Sequence, residues 1–214
     1  MDVVVARSVV KRFTTNAVLR GLDVELRAGE VMSVTGPNGT GKSTLLRVMA
    51  GTLLPDEGSV TLAGIPSSRQ AARALVATSY NDDRSWYGRL SSWENLRFWQ
   101  SLRAVWPGRA QHFLTALGLD AARDKPVAVL SSGQRARLGV VRALSSEAPV
   151  VVLDEPTRGV DAEAMVAVAD AIKAACAEGR SVLIATHDDH LRELLGGRRI
   201  ALSFAATPPS DGVG

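Results

Sequence analysis

Residues 31–51 read VMSVTGPNGTGKSTLLRVMAG. The stretch opens with a short apolar run of β-rich composition. A loop with three glycines follows, and then a segment with helical spacing that stops at Gly51. This is strand, loop, helix. The loop matches G-x-x-x-x-G-K-[ST]. Gly36, Gly39 and Gly41 permit backbone conformations that a Cβ would obstruct, so N–H groups can approach an oxygen closely. Those N–H groups form a nest, and the helix behind them points its positive end at it. Lys42 adds a point charge suited to β- and γ-phosphates. Ser43 offers a hydroxyl to Mg2+. Asn38, Thr40 and Thr44 complete the candidate nucleotide-binding set. The loop has the strand-before, helix-after context that such a motif requires.

Two further strands belong to the same layer. VVVLDE at 150–155 is an unbroken apolar run ending in two acids, and SVLIAT at 181–186 is a second such run. Unbroken runs suit central strands of a parallel sheet covered on both faces. Between them DAEAMVAVADAIKAACAEG reads as a helix ending at Gly179, which makes a βαβ crossover. The expectation is that VVVLDE lies beside the loop strand. Asp154 would then reach Ser43 and hold Mg2+ through water, and Glu155 would polarise an attacking water.

The flanking segments differ. VVVARSVVKRF, LDVELRAG and GSVTLAG (58–64) read as strands of a small antiparallel sheet. SSWENLRFWQSLRAVW opens with a capping box, Ser91 and Glu94. It then carries Trp93, Leu96, Trp99, Leu102 and Trp106 on one stripe. Pro107–Gly108 ends it, and GRAQHFLTALGL is a second helix. The chain reads as one domain: a core over 1–83 and 141–204, a helical lobe over 84–140, and a flexible tail over 205–214. Seven of the ten aromatics, including all four tryptophans, fall between residues 80 and 106. Most suit the lobe's core. Trp86 and Tyr87, ahead of the helix, are the candidates for a docking surface.

Composition removes several classes. The 214 residues are 46% hydrophobic, enough for a sizeable core. Cys176 is the single cysteine, so no internal disulfide forms. No run of apolar residues is long enough to span a membrane. Asp2, Arg7, Lys11 and Arg12 interrupt any signal-peptide core. A cytosolic protein is expected. The net charge is +3 and the basic residues scatter, so no nucleic-acid partner is expected.

LSSGQRARLGVVRAL at 130–144 decides among the P-loop ATPases. It resembles the signature sequence of the ABC ATPase family, usually LSGGQ followed by a basic helix. Small residues at a helix N-terminus make a second phosphate-binding element. In that family this element contacts the γ-phosphate held by the opposite subunit. Ser131, Gly133 and Gln134 match, and Ser132 replaces the usual middle glycine. His187, in VLIATHDD, stands where the family has its switch histidine. RGVD at 158–161 is similar to the family's D-loop, usually SALD; Asp161 matches. Phe13 stands where the family places an aromatic that stacks on adenine. The glutamine that normally links Mg2+ to the membrane partner is absent, and Asp82 falls at its place.

The resemblance runs from residue 3 to about 204. It implies an α/β P-loop fold of ABC type, with a parallel-sheet core, a small antiparallel β subdomain and an inserted helical lobe. It implies a homodimer with two ATP molecules sandwiched between P-loop and signature. It also implies an ATPase on the inner face of the membrane, driving a separate integral membrane permease. The stretch DDRSWYGRL and the absent glutamine point to export. An importer subunit, or a soluble ATPase of this type not linked to transport, are the alternatives.

Overall fold

The computed structural model describes residues 2–14, 16–80, 86–102 and 107–203. Asp82, Trp106 and the tail 205–214 lie outside the described residues. Two sheets organise the fold. The first is antiparallel, with the order β2-β1-β4-β5. Its strands are β1 (Asp2–Phe13), β2 (Asn16–Arg27), β4 (Glu57–Leu62) and β5 (Ile65–Pro66). β1 and β2 pair along nearly their whole length, with several register shifts of the kind bulges make, so this hairpin is longer than its sequence suggests.

The second sheet is parallel, with the order β6-β7-β8-β3-β9. Its strands are β3 (Val31–Thr35), β6 (Val76–Ser79), β7 (Val150–Asp154), β8 (Ser181–Ala185) and β9 (Arg198–Ala201). One expectation needs correction here. β7, which carries VVVLD, is not the neighbour of β3, which carries the glycine loop. β8 lies between them and pairs with both. Asp154 still reaches Ser43, because helix α1 (Lys42–Met49) leaves the β3 end and packs across β8 and β7.

Strand alternation divides the interior in two. On β7, Val150 and Val152 join Leu45, Leu46 and Met49 of α1 and the buried face of the antiparallel sheet. Val151 and Leu153 point the other way and join α5 (Ser132–Leu144) and α6 (Ala162–Ala177). Helices α3 (Ser92–Leu102) and α4 (Pro107–Ala116) complete that side through Leu96, Phe113 and Leu114. The lobe helices thus share one continuous apolar cluster with a sheet face. Two short helices remain, α2 (Gln70–Ala74) and α7 (Asp189–Leu195).

The lobe's entry follows its local signals. Ser91 N–H donates to Glu94 Oε2 at 2.8 Å, and Glu94 N–H donates to Ser91 Oγ at 3.1 Å. Pro107 is the first residue of α4, where its fixed φ suits a helix start. Asn95 is fully buried and donates to the carbonyls of Tyr87, Leu90 and Ser91, which pins the segment before α3. Trp86 is half-buried against the cluster beneath the Arg142 guanidinium, while Tyr87 is 49% exposed. Of the two docking candidates, Tyr87 is the one at the surface. Among the described residues no helix is long and apolar enough to cross a membrane.

Candidate nucleotide site

A cleft of about 320 Å3 opens at the C-terminal edge of the parallel sheet. Open parallel sheets place ligands there. Its floor is the loop between β3 and α1. Gly36, Gly39 and Gly41 all have positive φ, at 142°, 84° and 97°. At Gly41 a Cβ would press to 2.6 Å from the Val18 side chain, so the close approach requires glycine. Lys42 is 7% exposed, and its ammonium donates to the carbonyls of Gly36 (2.7 Å) and Pro37 (3.0 Å). The charge is therefore held within the loop's curl. Asn38, Gly39, Gly41, Lys42, Ser43 and Thr44 line the cleft.

Gly36 and Thr40 are sequence-predicted residues with a different place. A Cβ on Gly36 would collide with the carbonyl of Leu202, so this glycine lets the end of β9 pack against the loop. Thr40 is buried and its hydroxyl donates to Pro37 O at 2.9 Å. It closes the loop from inside. Neither lines the cleft. Val18 does, as an apolar wall from β2, and no sequence signal marked it. Phe13 at the end of β1 forms the other wall. Its ring is 49% exposed, with the Lys11 ammonium 5.8 Å from its centre.

The acids stand at the far wall. The Ser43 hydroxyl is hydrogen-bonded to the Asp154 carboxylate. Burial pushes the Asp154 carboxyl above its ordinary value; the Ser43 bond and the charges of Arg47 and Lys42 oppose that rise, and Glu155 adds to it. A hydroxyl beside a carboxylate that burial disfavours as an anion is an oxygen pair that suits a hard divalent cation. Arg47, on the last turn of α1, was not foreseen as part of this field.

Glu155 has φ +49°, a left-handed conformation that non-glycine residues seldom adopt. Its N–H still donates to Ala185 O at 2.8 Å. The chain thus leaves the sheet abruptly at this residue, and the turn throws the carboxylate into the cleft. Such outliers concentrate at functional sites. His187, just past β8, stands beside it: Nδ1 lies 2.9 Å from Glu155 Oε2. The histidine side chain is 69% exposed and the glutamate 18%.

A second hollow of about 220 Å3 shares Asp154 and Glu155 with the first and continues toward the lobe. It is lined there by Tyr80, Trp86, Ser132, Arg135 and Arg158. The predicted signature residues lie on this side. Ser131 caps α5 in a complete capping box with Gln134: Ser131 N–H donates to Gln134 Oε1 at 3.0 Å, and Gln134 N–H to Ser131 Oγ at 3.1 Å. Gly133 is buried, and a Cβ on it would collide with the carbonyl of Gly159. The turn at 158–161 is therefore packed backbone to backbone on the signature. Asp161 caps α6, accepting from Ala164 N–H at 2.9 Å.

Comparison with known proteins gives the family. Residues 19–158 match the family described as ABC transporter. The cytochrome c biogenesis ATP-binding export protein CcmA of Rhodobacter capsulatus is 39% identical over 199 residues, covering 92% of this chain and 86% of CcmA. The ABC transporter ATP-binding protein YdbJ of Bacillus subtilis is 33% identical; the match covers 83% of this chain but only 58% of YdbJ. Nod factor export ATP-binding protein I of Ralstonia nicotianae is 34% identical, over 89% of this chain and 64% of its own length. In three dimensions the chain superimposes on the dimeric bacterial ABC transporter cassette MJ0796 with a TM-score of 0.84. That match covers 94% of each chain at 23% identity, a likeness of fold. The chain belongs to the ABC transporter family, as one of its ATP-binding ATPases.

Proposed function

We propose that this chain hydrolyses ATP at the cleft of about 320 Å3 and that hydrolysis drives export through a separate integral membrane permease. The observation that carries the catalytic reading is the convergence of Ser43, Asp154 and Glu155 on one cleft, with His187 Nδ1 2.9 Å from Glu155 Oε2 behind them. Lys42 and the loop N–H groups bind the phosphates, and Phe13 offers its exposed face to the adenine. Ser43 and Asp154 would hold Mg2+, which, when bound, neutralises charge on the phosphate oxygens. Glu155 accepts the proton of the attacking water, and His187 holds Glu155 in place and meets the γ-phosphate. Asp82 is assigned here to the metal side of the permease contact, on its sequence position.

The second half of the site comes from a second copy. Ser131 and Ser132 are exposed at the start of α5, and none of Ser131, Ser132, Gly133 and Gln134 lines the P-loop cleft, which supports a homodimer in which each signature closes on the other's nucleotide. Asp161 belongs to that contact. The domain division proposed above fits this arrangement, with the lobe over 84–140 carrying the signature. Relatives named for export support the direction of transport. The chain would then work in the cytoplasm, on the inner face of the cell membrane.

Glu155→Gln tests the reading. Steady-state phosphate release should fall by about 10²- to 10⁴-fold, the usual contribution of a general base. ATP binding should persist, and ATP should drive association into a dimer visible by light scattering. Turnover within a few-fold of the parent would remove Glu155 as base.

A further inference from the structure

Arg180 is 6% exposed, yet no carboxylate lies within hydrogen-bonding distance of it among the described residues. Its guanidinium spends its donors on backbone carbonyls instead. Nη1 donates to Leu144 O at 2.8 Å, Nη2 to Ala143 O at 3.2 Å and Nε to Ala148 O at 3.0 Å. The first two carbonyls belong to the last turn of α5, where helix ends leave carbonyls short of partners; Ala143 O also accepts from Ser146 N–H at 3.4 Å, and Arg180 supplements that bond. The third belongs to the segment that turns from α5 into β7. Arg109 of α4 adds a second cation, donating to Leu144 O at 3.3 Å while pairing with Glu178. The residue also ties its own backbone down, since Arg180 N–H donates to Ala175 O at 3.1 Å at the end of α6.

The connections of those elements give this clamp its meaning. α5 runs from Leu144 back to Ser131, the signature. β7 runs forward from the clamp to Asp154 and Glu155. β8 begins at the residue after Arg180 and ends beside His187. One guanidinium therefore fixes the far ends of all three elements whose near ends carry the candidate catalytic and signature residues. The geometry points to Arg180 as a positioning residue for ATP hydrolysis, which sets the tilt of the signature helix relative to the catalytic strands. This inference rests on the function proposed above.

The lever is long enough to matter. Twelve residues of helix span about 18 Å, so a tilt of about 5° at the clamped end moves the signature by roughly 1.5 Å. Displacements of about 1 Å can cost about a hundredfold in rate. Burial also pushes the Arg180 guanidinium down to about 10, still charged at neutral pH. A cation at a helix C-terminus opposes the helix dipole, so the charge and the donors act together. None of these groups lines the nucleotide cleft.

The test is steady-state ATPase kinetics of the full chain with Mg2+ and ATP, comparing Arg180→Met and Arg180→Lys with the parent. Methionine keeps much of the side chain's bulk but no donor. Lysine keeps the charge without the fork. The expected result is a fall in kcat of about 10-fold or more for methionine and a smaller fall for lysine. KM for ATP should stay within about twofold in both. If the methionine variant fails to fold, the lysine variant alone carries the comparison. The proposal is overturned by an unchanged kcat. It is equally overturned by a KM change at constant kcat, or by a loss that only tracks the unfolded fraction at the assay temperature. Normal turnover of Glu155→Gln would instead sink the underlying ATPase reading, so the two failures are distinguishable.

Discussion

Two helix N-termini serve the candidate chemistry, and the chain builds them in opposite ways. α1 begins behind Gly41, which is left-handed and offers no side-chain cap, and no acid stands in its first turn. α5 begins behind Ser131, inside a complete capping box. Helix N-termini leave N–H groups without intrahelical partners, and something must satisfy them. At α1 the chain leaves that vacancy and adds a buried ammonium to it. At α5 it fills much of the vacancy with its own side chains. The first end is a standing demand for an anion. The second is content alone and can engage phosphate only through what the box leaves over, the N–H groups and hydroxyl around Ser132 and Gly133. In the homodimer proposed above, a strong primary site and a weak, conditional one would suit ATP gating, because the second must release.

Removing the charge at the first end should have the largest effect. Lys42→Ala should lower ATP affinity by about a hundredfold, equivalent to about 2.7 kcal/mol lost from a charge-assisted contact. Titration of the monomer with a fluorescent ATP analogue measures it. Affinity within twofold of the parent would show that the α1 end does not depend on its cation, and the contrast with α5 would collapse.

Asp154→Asn asks what satisfies α1 when no nucleotide is present. Burial raises the Asp154 carboxyl above its ordinary value. The ionised form is thus disfavoured in the folded chain. Its cost is absent below the ordinary carboxylate range, grows as pH climbs through the raised value, and is present in full above it. Without nucleotide, then, the asparagine variant should melt at a higher temperature than the parent at neutral pH. The difference should vanish in acid. With Mg2+ and ATP the order should reverse, and half-saturation of turnover by Mg2+ should need about 10- to 100-fold more metal. Thermal melts across pH, with and without Mg2+ and ATP, check both halves. A parent more stable than the variant in the absence of ligand would contradict the role of burial.

The difference between the two ends was only partly legible in the sequence. The glycine loop, the apolar strands and the capping box at Ser91 and Glu94 are local patterns, and the structure follows them at β3, α1, β7 and α3; the second box, at Ser131 and Gln134, went unread. The strand order is not local. Nothing in VVVLDE or SVLIAT tells which of them pairs with β3, since both are apolar runs that suit the sheet centre. β8 took the place expected for β7. Gly36 and Thr40 read as ligand residues because the motif groups them with the others. Their packing against Leu202 and Pro37 is visible only in the folded chain. Val18 and Arg47 reach the site from β2 and the last turn of α1, and no spacing rule marks such side chains. Arg180 is the extreme case, an unremarkable basic residue until three carbonyls close around it.

The smallest predicted effect falls on the second end. Gln134→Ala removes the side chain that accepts from Ser131 N–H, but leaves Ser131 Oγ to cap Gln134 N–H. Half a capping box should cost about 0.5–1 kcal/mol, a melting shift of roughly 2–4 °C or less in a chain of this size. Nucleotide binding by the monomer should not change, because Gln134 does not line the cleft of the P-loop. The informative quantity is the ratio of that stability loss to any loss of turnover. If turnover falls no more than about twofold, Gln134 is spent on its own helix and the signature works through Ser131–Gly133. A tenfold loss of kcat with the same small melting shift would mean that the glutamine leaves its box to meet the nucleotide on the other copy. The capped end would then be a switch rather than a contented one, and the two helix ends would differ in timing, not in strength.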